Sequence, residues 1–143
     1  MRRLTALALL LALGAALAGQ APSRTVWDGV YTAAQAEAGR EVYAGACASC
    51  HGDALGGVEA APALVGAAFA AGWSGTTLND LAERIRVSMP ADDPGSLSRR
   101  RVAEVVAYML SAGGFPAGEF ELDRQAEVLR QIVYVSTRPE PNP

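Results

Sequence analysis

The sequence predicts an all-α domain built on three main helices, and three observations carry that expectation. Apolar residues recur at helical spacing in two separate segments, first Leu78, Leu81, Ala82 and Ile85, then Val102, Val105, Val106 and Met109. A third segment, rich in Ala and Glu, precedes them. Each segment opens on a residue suited to capping a helix, and the two apolar-periodic segments also close on residues that break one.

The chain begins with an address rather than with structure. Arg2 and Arg3 form a short basic region, Leu4 to Leu17 is a run of Leu, Ala, Gly and Thr, and Ala16-Leu17-Ala18 offers small residues for a signal peptidase. The run falls short of the roughly 20 apolar residues a membrane span needs. Residues 1–18 are therefore expected to be a cleaved signal peptide, with retention as an N-terminal anchor as the alternative. Residues 19–31 then read as an extended arm, in which Trp27 packs on the domain surface.

Thr32 and Gln35 form a capping box ahead of a first helix from about Ala33 to Ala44, which runs directly into Cys47. From Gly52 to Gly75 the composition is Gly, Ala and Pro with scattered apolar residues, and no helical period persists. An irregular loop beyond about 12–15 residues is uncommon in a compact domain unless something else orders it, such as a large cofactor. Thr77 caps the second helix, and Pro90 ends it by forcing the preceding residue out of the helical region. After the polar turn Asp92 to Gly95, Ser98 caps the third helix, which runs to about Leu110 with Leu97 and Val102 as a hydrophobic staple. Gly113-Gly114 terminates it. Residues 32–114 make up the domain, and residues 115–143 an extension with a short helix within Leu122 to Ile132. The tail from Thr137 to Pro143, with its prolines, is expected to be disordered.

Loss of the leader leaves ten basic and fifteen acidic residues, a formal charge of −5, and every basic residue is Arg. That balance argues against nucleic acid and anionic membrane surfaces as partners, since both favour basic proteins.

The chemistry lies in Cys47-Ala48-Ser49-Cys50-His51, a C-x-x-C-H run containing both cysteines and the only histidine. Two thiols three positions apart on a turn can each reach one vinyl group of the same porphyrin, and the following imidazole can bind the iron. A structural zinc site wants four ligands, usually Cys and His, where this chain has three such residues. A thioredoxin-like pair should follow a strand rather than an Ala-rich helix. A plain disulfide would leave His51 and the long loop without a role. The reading is one covalent haem c.

Around these residues the chain resembles the class I cytochrome c family from about Thr32 to Leu110. Gly39 and Tyr43 stand eight and four residues before Cys47, the family's Gly and aromatic on the first helix. Val105 and Tyr108 match the apolar and aromatic pair on the last helix. The resemblance implies the class I fold, three main helices wrapped around one haem. It also implies that the Pro62 carbonyl of Pro62-Ala63-Leu64 accepts from the His51 imidazole, with Leu64 forming a haem wall. Met89, followed by Pro90, resembles the family's distal Met-Pro and would be the second axial ligand beside His51. An open or water-bound iron, or Met109, are the alternatives. Phe69 and Trp73 are expected in the haem pocket or the loop core, with N–H donation from Trp73 to a haem propionate as one alternative. Arg99, Arg100 and Arg101 form a docking patch, a set of ion pairs with Asp92 and Asp93, or a solvated face.

With both axial positions filled, the resemblance implies a one-electron carrier rather than an enzyme: a monomeric, periplasmic bacterial protein passing electrons between a dehydrogenase and a terminal acceptor. The strings Trp27 to Thr32 and Met89 to Ser98 are similar to cytochrome c domains found beside exported quinoprotein dehydrogenases, so such a dehydrogenase or a terminal oxidase are the partners implied. The alternative is a haem c subunit of a membrane-tethered or catalytic oxidoreductase complex. A c-type peroxidase needs two haem motifs, and sulfur-oxidising haem sites resemble ones with an additional Cys ligand. This chain has one motif and no spare Cys.

Overall fold

The computed structural model describes residues 24–59 and 61–140. The expected signal peptide at residues 1–18, the start of the arm and the last three residues of the tail lie outside them.

The three main helices form where the caps stand. α1 spans Ala33–Ala46, and the Thr32 hydroxyl accepts from the Gln35 N–H at 3.1 Å. The other half of the expected capping box is absent. Gln35 is buried, and its carboxamide turns instead to Leu122, donating to the carbonyl at 2.9 Å and accepting from the N–H at 2.7 Å. A buried amide left without partners is costly, and two backbone groups of the extension supply them. Two further helices follow the Gly52 to Gly75 segment: α4, Leu78–Ser88, and α5, Arg99–Ala112. α4 carries a complete capping box between Thr77 and Asp80. In α5 the Ser98 hydroxyl caps Arg101, and Gly113 ends the helix.

α1 and α5 make the most extensive helix contact in the molecule. They cross at Gly39, where a Cβ would collide with the Glu104 carbonyl and crowd Tyr108 Cβ. Tyr43 and Tyr108 flank the crossing with ring centroids 5.4 Å apart. Beneath it, Val102, Val105, Val106, Met109 and Leu110 join Leu78, Leu81 and Ile85 in one core.

Further expectations are corrected. The Gly52 to Gly75 segment is not wholly irregular, because Gly66–Trp73 forms a helix, α3. Its sequence, GAAFAAGW, is almost uniformly apolar, so it offers no polar and apolar contrast from which a period could be read. The helix expected within Leu122 to Ile132 shrinks to one turn, α6, Ala126–Leu129. The Asp123 carboxylate accepts from the Gln125 N–H at 2.7 Å, a local turn that competes with helix initiation. Ile132–Val133 is instead a strand, β2, paired in parallel with β1, Arg24–Thr25. The basic run pairs with neither Asp92 nor Asp93: Arg99 meets Glu83 at 3.0 Å and Arg100 meets Glu104 at 2.8 Å.

The extension wraps the domain rather than trailing from it. Tyr31 donates its hydroxyl to the Phe115 carbonyl, and the Gly118 N–H donates to the Tyr31 carbonyl. Further on, the Gly75 N–H donates to the Tyr134 carbonyl at 2.8 Å, and the Tyr134 N–H donates to Thr76 at 2.9 Å. The Tyr134 ring lies against Phe69 and Phe115. Trp27 is half-buried and donates its indole N–H to the Val135 carbonyl, while Arg138 lies over its ring. The tail expected to be disordered therefore begins with an ordered contact.

Candidate functional site

The site grows out of the end of α1. Cys47 is the C-cap, its N–H bonded to the Tyr43 carbonyl at 2.8 Å, and it opens the single turn α2, Ala48–His51. Within that turn the Cys50 and His51 N–H groups both donate to the Cys47 carbonyl, at 3.1 and 2.9 Å. The two sulfurs are free thiols. Cys47 is half-buried and burial pushes its thiol pKa up, while Cys50 is exposed.

His51 is buried, at 7% exposure. Its Nδ1 stands 2.8 Å from the Pro62 carbonyl, which accepts the Nδ1 proton and leaves Nε2 as the nitrogen with a lone pair for a metal. Backbone bonds hold Pro62 there. The Gly57 N–H donates to the His51 carbonyl at 2.9 Å, and the Leu64 N–H donates to Leu55 at 2.8 Å, so the loop doubles back over the histidine. The fold-back brings Ala63 N close to where a Cβ of residue 57 would lie, 2.5 Å away, and Gly57 has φ +77°, so only glycine fits. On the other side Tyr43 donates its hydroxyl to the Gly52 carbonyl at 2.6 Å, fixing the turn after His51, and burial pushes its pKa up to about 12.

The remaining residues expected at the site share one property. Leu64, Trp73 and Met89 are half-buried apolar side chains packed on the core with part of their surface uncovered, and Cys47, Ala48 and Val65 belong to the same set. Trp73 closes α3 with its ring 5.9 Å from Phe69. Met89 is the C-cap of α4, in extended backbone where the helix stops before Pro90. Met109, by contrast, is fully buried in the core of α5. Gly57 and the Tyr43 hydroxyl went unnoticed in the sequence: a glycine in a Gly-rich loop has no signature of its own, and the hydroxyl's role depends on where Gly52 lies.

This donor set suits an iron porphyrin. Two free thiols and an oriented imidazole lie in one turn, among apolar side chains that a flat apolar group would cover. Among the described residues no group of three His, Cys, Asp or Glu side chains comes together in a way that would hold a bare metal ion.

Helices, turn and oriented histidine together define a class I c-type cytochrome domain, an electron-transfer unit. The chain belongs to the family described as cytochrome C oxidase, cbb3-type, subunit III, whose profile matches residues 34–109. Among solved structures it is similar to the sulfane dehydrogenase SoxCD from Paracoccus pantotrophus, with a TM-score of 0.52 and 23% identity, covering 86% of this chain and 68% of that one. At that identity the likeness speaks for the fold. A comparison with curated proteins finds no match.

Proposed function

We propose that the protein is an exported one-electron carrier holding a single haem c through Cys47 and Cys50, with His51 and Met89 as axial ligands. The observation that carries this reading is the 2.8 Å contact between His51 Nδ1 and the Pro62 carbonyl beside two free thiols. That contact fixes the tautomer and the ring plane, as metal-bound histidines require. Bound in this way, the haem supplies Fe(III)/Fe(II) one-electron chemistry, and a thioether ligand raises its potential.

The chain's own residues do the rest. Cys47 and Cys50 would hold the group, Pro62 orients His51, and Leu64 and Trp73 would exclude water from it, with the Trp73 indole N–H available to a propionate. Met89 would be the second protein ligand to the iron, which favours electron transfer over chemistry on a bound substrate. Residues 1–18 direct export and are removed. Among the described residues no helix is long and apolar enough to cross a membrane. A redox protein, either a dehydrogenase such as a quinoprotein enzyme or a terminal oxidase, supplies or takes the electron, and the carrier works as a monomer.

A second reading is a resident haem c subunit of an oxidoreductase complex. The family description, an oxidase subunit, favours it. Co-purification of a second subunit at fixed stoichiometry would select this reading over a free carrier.

The test of the haem assignment is spectroscopic. Protein exported from a host that matures haem c should show a haem c spectrum, with a near-infrared Met-to-iron band in the oxidised form. In Met89→Ala the haem c spectrum should persist and that band should vanish. Retention of the band in Met89→Ala would reassign the ligand, and the absence of covalent haem would overturn the proposal.

A further inference from the structure

Two tyrosines are buried to the same degree, each 2% exposed, and each donates its hydroxyl to a backbone carbonyl at 2.6 Å. Tyr31 bonds to Phe115 and ties the arm to the extension. Tyr43 bonds to Gly52, the residue that follows His51 and ends α2. Packing asks for neither hydroxyl. A phenylalanine ring would fill the same space beside Tyr108, and a buried hydroxyl adds only a modest net stability once it finds a partner. What sets the Tyr43 bond apart is the place it reaches.

Gly52 stands where the chain reverses, with φ +78° and ψ 152°. Its N–H donates to the Ala48 carbonyl at 2.8 Å, and its carbonyl also accepts from the Leu55 N–H at 3.1 Å, so this residue both closes α2 and opens the loop. The loop then runs through Gly57, bonded to the His51 carbonyl, to Pro62, bonded to the His51 ring. Among the described residues, Tyr43 is the one side chain from another element that hydrogen-bonds to residues 47–62. Its ring is held in turn by the α1–α5 crossing, four residues past Gly39 and against Tyr108. The hydroxyl thus carries the placement of the helix pair to the turn that bears His51.

We propose that the Tyr43 hydroxyl is a positioning group for the iron ligand: through Gly52 it sets the plane of the His51 ring and the strength of its bond to Pro62, and so tunes the potential of the site. The proposal deepens the haem assignment and rests on it for what His51 binds. Loss of the hydroxyl frees Gly52, loosens the Gly57 bond to the His51 carbonyl and weakens the Nδ1 contact with Pro62. An imidazole whose Nδ1–H is bonded less strongly is a poorer donor to iron, which stabilises Fe(III) less and raises the potential. Burial pushes the Tyr43 pKa up to about 12, so the hydroxyl keeps its proton to donate at neutral pH.

Tyr43→Phe and Tyr31→Phe holoproteins form a matched pair, since each loses one buried hydroxyl bond of the same length. Both should lose similar stability to denaturant. Tyr43→Phe alone should show a more positive reduction potential and displaced haem-methyl proton resonances in the oxidised form. Its Gly57 amide should exchange about tenfold faster, the worth of one hydrogen bond. Tyr31→Phe should match wild type in all three. Covalent haem is read separately from the wild-type spectrum, and amide exchange needs no iron, so failure of the haem assignment leaves the Gly57 result standing. An unchanged potential or an unchanged Gly57 exchange in Tyr43→Phe would overturn the proposal and leave the hydroxyl a stabilising bond like that of Tyr31. Equal changes in both variants would also overturn it, by showing general softening of the fold. In the wild type, where no variant has to fold, the Tyr43 hydroxyl proton should be protected from solvent; exchange as fast as in free tyrosine would sink the idea.

Discussion

At the scale of single residues, the tightest constraint lies at Gly39. An alanine in mid-helix ordinarily gains about 1 kcal/mol over glycine. At Gly39 the added Cβ meets the Glu104 backbone, which cannot swing aside as a side chain would. Gly39→Ala should therefore destabilise the holoprotein by about 1–3 kcal/mol, the usual range for overpacking. Gly45, in the same helix with nothing within 4 Å of a Cβ, is the comparator, and Gly45→Ala should be neutral or stabilising. Denaturant midpoints of the two variants decide the matter, and a stabilised Gly39→Ala would refute the crossing. Gly39 was legible in the sequence because its spacing to Tyr43 and Cys47 is fixed within one helix. Gly57 was not, because what excludes a side chain there is Ala63, brought close only by the loop that folds over His51.

At the scale of elements, local signals were readable and long-range ones were not. Thr32, Thr77 and Ser98 cap their helices as the sequence indicates, since each bond reaches only three residues along the chain. Gln35 departed from its capping box because its partner, Leu122, is 87 residues away. The extension hid its role for the same reason: a two-residue strand has no periodicity, and its pairing with Arg24 and Thr25 joins opposite ends of the chain. Yet this segment clasps the connection between α3 and α4, with Tyr134 bonded to Gly75 and Thr76 and its ring against Phe69. Tyr134→Ala should cost about 3–5 kcal/mol, as for other buried aromatics. It should also act locally: the Gly75 amide, held by the Tyr134 carbonyl, should exchange with solvent much faster, while amides of α1 and α5 keep their relative protection. A uniform increase in exchange across the molecule would show that the extension is part of the global core and not a separate clasp.

For the whole molecule, the question is what completes the core. α1 and α5 close on each other at Gly39 without help, but Leu64, Val65, Trp73 and Met89 keep apolar surface that the other described residues leave half-uncovered. Each Å² of such surface left in water forgoes about 25 cal/mol of burial, and a domain this small has little reserve of core. A covalent haem seated on Leu64, Val65, Trp73 and Met89 would supply the missing layer. Cys47→Ser/Cys50→Ser, which removes both attachment points while keeping His51, is then expected to lose fixed packing before it loses helices. Far-ultraviolet circular dichroism should retain much of the helical signal from α1 and α5. The near-ultraviolet signal of Trp27 and Trp73 should collapse, and a hydrophobic dye should bind, as in a molten globule. Exchange protection should fail first at the Gly57 and Leu64 amides, which hold Pro62 over His51, because those bonds close a loop that has few buried side chains of its own. A double variant with an unaltered cooperative transition and an intact near-ultraviolet spectrum would mean that the polypeptide is self-sufficient. The half-buried apolar set would then be an ordinary surface, and the argument that the haem is a structural layer as well as a redox group would fall.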